Sequence, residues 1–132
     1  MIGLDTNVLI RHLTLDDPDQ AERASTLIAT TCSIEEPGYI NRVVMCELVW
    51  VLERAYRYER GVIATCLEAI LRTADLRVEN EKAVWVALAR YQDGYDFADA
   101  LIGETNVLAG VEKTYTFDKR ATALGAFAAV DQ

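Results

Sequence analysis

Short apolar runs alternate with longer stretches at helical spacing along the whole chain, and this rhythm limits the fold more than any other feature. Residues 1–4 are too brief for a helix and read as a central strand; Tyr39-Ile40 follows the Pro37-Gly38 break as a second, Leu76 to Val78 as a third, and Glu112 to Phe117 as a fourth. Residues 6–13 look helical. Asp17-Pro18-Asp19-Gln20 is a helix start, with Asp17 as N-cap, Pro18 in the first turn and Gln20 closing a capping box. Asn41 starts a helix to about Tyr58, a further helix fills roughly 60–74, and Asn80 caps one through about Gln92. Asp96 to Ala109 is the next helix, ended by Gly110, and a short helix near 119–126 and an edge strand complete the chain. Strand, helix, strand in this order predicts an α/β fold, a parallel sheet flanked by helices on both faces.

The 132 residues, 52% of them hydrophobic, suffice for one compact domain over 1–132 and not for two. No apolar run approaches the roughly 18 to 20 residues of a membrane span, and no basic leader precedes Asp5 and Arg11, so a cytoplasmic protein without membrane contact is expected. Cys32, Cys46 and Cys66, odd in number and widely spaced, predict reduced and mostly buried thiols rather than a disulfide framework or a zinc site. The net charge of −8 excludes nucleic-acid binding through the overall field. A nucleic-acid role then requires a local basic patch, divalent cations or a basic partner.

Against that charge, the placement of four acids stands out. MIGLD and TYTFD each run along a predicted strand and finish on an Asp, Asp5 and Asp118, and in open α/β sheets such strand ends face the binding crevice. Glu47 is the only charge in VVMCELVWVL, apolar on nearly its whole circumference, so Glu47 is expected to be buried. Asp99 lies among apolar residues in the first turn of a helix whose N-cap is Asp96. Two carboxylates at about 5 Å repel by roughly 3 kcal/mol at an effective dielectric of 20. A hard divalent ion reverses that sign, and an Asp and Glu set without His or Cys favours Mg²⁺, with Mn²⁺ as substitute, over Zn²⁺.

LDTNVLIR, CELVWVL, DFADALIG and TFDKRA, in this order over nearly the whole chain, resemble the four motifs of the PIN-domain ribonucleases, and within them the VapC toxins of toxin–antitoxin pairs. The resemblance implies a PIN-like domain and a Mg²⁺-dependent endoribonuclease acting on tRNA or other structured or single-stranded RNA. It implies Asp5 and Asp99 as metal ligands, Glu47 and Asp118 as ligands directly or through water, and Asp96 orienting Asp99. Thr6, Asn7 and Thr116 are candidates to bond the carboxylates or the scissile phosphate, with Arg11, His12, Lys119 and Arg120 as local phosphate contacts. The family also implies a homodimer held inactive by a VapB-like antitoxin. One departure is that Gly103-Glu104-Thr105-Asn106 follows DALI where small alanines are common.

Each residue has a plainer reading. Asp5 and Asp96 serve equally as helix caps, Asp118 as a turn residue, and Glu47 as a partner for Arg42 or Arg54. Arg54, Arg57 and Arg60 read as a solvated face, and Trp50, Trp85, Tyr56, Tyr91 and Tyr95 as mostly core. Other function classes are a DNA-directed metal nuclease and a non-catalytic acidic domain that binds a basic partner. A haloacid dehalogenase-type phosphatase wants a second Asp where Asn7 stands, and a receiver domain wants an Asp where the middle strands lead to Asn41 and Asn80.

Overall fold

The computed structural model describes residues 1–130. The chain falls into two compact units, Met1–Glu79 and Asn80–Gln132. The first runs β1 (Ile2–Gly3), α1 (Thr6–Leu13), α2 (Pro18–Thr31), β2 (Gly38–Ile40), α3 (Arg42–Arg54), α4 (Arg60–Arg72), β3 (Leu76–Val78). The second runs α5 (Glu81–Gln92), α6 (Phe97–Leu108), β4 (Thr114–Thr116), a 3-10 turn at Ala121–Ala123, and β5 (Phe127–Ala129).

The fold class is α/β, and all pairing among the described strands is parallel. β1, β2 and β3 form one sheet in that order, with Gly38 opposite Ile2 and Leu76, and Ile40 opposite Val78. β2 is therefore the middle strand of this sheet and β1 an edge, which corrects the expectation that residues 1–4 are central. The ladder is tight at Gly38, where a Cβ would stand 2.8 Å from both the Cys32 Sγ and the Leu4 Cδ1. A side chain there must displace Cys32 and Leu4. β4 and β5 form a separate two-stranded sheet, Thr114 opposite Phe127 and Thr116 opposite Ala129.

Caps explain most helix starts. Asp17 accepts from the Gln20 N–H at 3.1 Å and Asn41 from the Val44 N–H at 2.9 Å. The Gln20 side chain does not close the expected capping box; its Oε1 accepts instead from Arg11 Nε at 2.8 Å. Asn80 stands before α5 in the left-handed region (φ 48°) and makes no side-chain cap bond. α3 stops at Arg54 rather than near Tyr58, because the chain turns through Arg57 at φ 54°. Arg54, Arg57 and Arg60 thus lie on a helix end, a turn and the start of α4, not on one helical face.

Leu9, Ile40, Met45, Leu48, Leu52, Ile63 and Leu67 are fully enclosed in the core of the first unit. Each such side chain contributes about 1.5–3 kcal/mol by its burial. In the second unit Val84, Tyr91 and Phe97 are buried, the two rings meeting edge to face at 6.1 Å. Gly103 on α6 lets Phe127 approach: a Cβ there would meet its Cε2 at 2.7 Å.

Candidate functional site

In the first unit, Asp5 follows β1 and caps α1, its Oδ1 accepting from the Thr6 N–H at 2.8 Å. The Thr6 hydroxyl donates to Glu47 Oε1 at 2.7 Å. One threonine at the first turn of α1 therefore bonds both carboxylates. Asp5, Thr6, Asn7 and Glu47 line one cleft of about 410 Å³, with Arg11 and Tyr56 also on its wall.

Glu47 is exposed, not buried as its apolar surroundings in sequence predicted. α3 turns Val44, Met45, Leu48, Val49 and Leu52 inward and leaves Val43, Glu47 and Trp50 outward at i, i+4 and i+7. Trp50 likewise leaves the expected core: it is 58% exposed, with the Arg54 guanidinium 5.8 Å from its ring centroid. Arg42, a proposed partner of Glu47, bonds Glu79 instead, at 3.0 Å through its N–H and 3.2 Å through Nη2.

Thr14 and Asp16, which sequence reasoning did not single out, brace this wall from behind. Asp16 accepts from Arg11 Nη1 at 3.1 Å, Thr14 Oγ1 at 2.9 Å and the Tyr56 hydroxyl at 2.8 Å. The Tyr56 bond, then the Thr14 bond, hold the Asp16 carboxyl below the usual carboxylate range, against a smaller opposing effect of burial. No local sequence signal joins Asp16 to a tyrosine 40 positions away, so only the folded chain shows the network.

In the second unit, Asp96 caps α6 by accepting from the Asp99 N–H at 2.9 Å. Asp99 is half-buried, and its carboxyl is raised above the ordinary aspartate value, first by burial, then by the charges of Asp96 and Asp118. Asp118 Oδ1 accepts from the N–H groups of Arg120 at 2.9 Å and Ala121 at 3.4 Å, while its own N–H donates to Thr116 Oγ1 at 3.0 Å. These bonds make the turn residue of the plainer reading and reduce the helix expected near 119–126 to a 3-10 turn. Arg120 is tied down, donating to the Gly94 carbonyl at 3.0 Å and lying 5.1 Å from the Tyr95 ring centroid.

Among the described residues, no group of three or more His, Cys, Asp or Glu side chains is placed to hold a metal ion. Asp5, Asp96 and Asp118 accept from backbone N–H groups and Glu47 from the Thr6 hydroxyl. The donor chemistry nonetheless suits a hard divalent cation, since the candidate residues offer Asp and Glu oxygens with no His or Cys among them. The PIN-domain model matches residues 2–126, and the chain belongs to the PIN-domain family, whose members are typically metal-dependent nucleases. Neither the curated proteins nor the solved structures hold a match to this chain. Among the described residues, no helix is long and apolar enough to cross a membrane.

Proposed function

We propose that this PIN-domain protein is a Mg²⁺-dependent endoribonuclease and the toxin of a VapBC-type pair, with Mn²⁺ able to substitute. The observation that supports the reading is the placement of Asp5 and Glu47 on one cleft, both bonded by Thr6, in a chain of the PIN-domain family. Asp5 and Glu47 in the first unit and Asp99 and Asp118 in the second are assigned as metal ligands. A bound divalent ion would polarise a phosphoryl oxygen and acidify water. Thr6 keeps Asp5 and Glu47 in place through its N–H and hydroxyl, Asp96 fixes the first turn that carries Asp99, and Thr116 anchors the turn that carries Asp118. Asn7, exposed in the cleft of Asp5 and Glu47, is assigned to the scissile phosphate. The exposed apolar side chains on α3, Val43 and Trp50, suit a protein partner, and a basic tail of a VapB-like antitoxin suits a chain of charge −8. A homodimer in the cytoplasm completes the reading.

The test is cleavage of a mixed pool of tRNA and single-stranded RNA, with Mg²⁺ or EDTA, beside Asp99→Asn. Metal-dependent cutting by the unaltered protein is expected, and Asp99→Asn loses more than the roughly 10–100-fold that removal of an outer partner costs. Cutting of single-stranded DNA but not RNA moves the assignment to a DNA nuclease. No cutting by folded, partner-free protein with either metal sinks the enzyme reading.

A further inference from the structure

The cleft between α1 and α2 is walled by Asn7, Arg11, Gln20 and Arg23 over an apolar floor of Ala24 and Leu27, and measures about 370 Å³. That volume falls within the range of small-ligand sites. Its lining carries two guanidinium groups and no carboxylate, in a chain whose net charge is −8. Asn7 and Arg11 also line the cleft of Asp5 and Glu47, so the basic and acidic clefts share a wall.

Arg11 is held in place from two sides. Its Nε donates to Gln20 Oε1 at 2.8 Å and its Nη1 to Asp16 Oδ1 at 3.1 Å, while Asp16 Oδ2 accepts from the Tyr56 hydroxyl at 2.8 Å. Arg23 is less committed: it pairs with Asp19 at 3.5 Å with both side chains about three-quarters exposed, a pairing of little worth that a phosphate displaces readily.

We propose that the α1–α2 cleft binds the nucleotide next to the scissile phosphate, with Arg11 and Arg23 on its phosphate and the Ala24 and Leu27 floor against its base or sugar. The inference rests on the nuclease reading, since a strand whose phosphate lies at Asp5 and Glu47 continues across the shared wall into the basic cleft. Guanidinium groups beside an apolar floor match the alternation of phosphate and flat base. An acidic peptide carries its charges on flexible stems and offers no flat group to cover Ala24 and Leu27.

The experiment measures binding of a labelled single-stranded RNA to the Asp99→Asn protein in EDTA over a salt series, with and without Arg23→Glu. Arg23→Glu should weaken binding by about 10-fold or more and reduce the log–log salt slope by about 0.7, the share of one neutralised phosphate, while Arg23→Lys retains the slope. Arg23 is exposed, so unchanged circular dichroism and melting are expected of these variants. Unchanged affinity and slope overturn the inference. So does Arg23-dependent binding of polyglutamate with no effect on RNA, which would assign the cleft to an acidic protein. Cleavage by the unaltered protein is followed in parallel, and Arg23→Glu should raise KM with kcat nearly unchanged. RNA cutting with Arg23-independent binding overturns this inference alone. Arg23-dependent binding without any cutting overturns the nuclease reading and leaves the cleft an RNA-binding site with no scissile phosphate beside it.

Discussion

At the scale of single residues, Asp99 is a half-buried acid with Asp96 and Asp118 as charged neighbours. Burial and the charges of Asp96 and Asp118 raise its carboxyl in the folded chain. A raised carboxyl penalises folding above its folded value, and the penalty lifts as pH falls through that value. Asp99→Asn should therefore raise Tm at neutral pH while abolishing cleavage, and its melting curve should lose part of the pH dependence seen in the unaltered protein. Differential scanning calorimetry from neutral to acid pH checks both. Thr6 makes a second case. Thr6→Val keeps the shape, removes the hydroxyl that donates to Glu47, and should cost about 1 kcal/mol in urea unfolding together with a fall in kcat. That Thr6 touches the carboxylates was readable from its place after Asp5; that it links Asp5 to Glu47, 41 positions from it, was not.

At the scale of elements, starts were more legible than ends and registers. Asp17, Asn41 and Asp96 are caps in both readings, because a cap is a bond within three residues of sequence. The N-terminus of α3 has a second acceptor that no local pattern announces. Glu79, just after β3, accepts from the Arg42 N–H and guanidinium, and these bonds hold its carboxyl below the ordinary glutamate value. A depressed carboxyl contributes stability that is fully present above the unfolded value, about 4.5, and lost as pH falls through the lower folded one. Glu79→Gln should reduce stability at neutral pH and flatten its decline in acid, measured by urea unfolding at stepped pH. β2 makes a packing prediction: Gly38→Ala forces Cys32 and Leu4 apart and should cost about 1–3 kcal/mol, partly recovered by adding Cys32→Ala.

At the scale of the whole molecule, charge dominates. A net −8 opposes compaction and repels a polyanion, so raising salt from low ionic strength should raise Tm, and Mg²⁺ should raise it further than the same ionic strength of Na⁺. The Mg²⁺ increment should be much reduced in Asp99→Asn. Thermal melts in matched NaCl and MgCl₂ decide it, and equal shifts for both salts would count against a bound divalent ion.

From its order of short apolar runs, helical stretches and cap residues, the sequence by itself determined the α/β class, most of the helices, the parallel pairing and the likeness to the PIN family. Those signals are local, each carried by residues a few positions apart. Tertiary structure alone decided the outward face of Glu47 and Trp50, the edge position of β1, the Arg11–Asp16–Tyr56 network and the glycine at Gly103. An all-round apolar helix does not reveal which side finds a neighbour, and contacts between positions 40 apart have no periodicity to show.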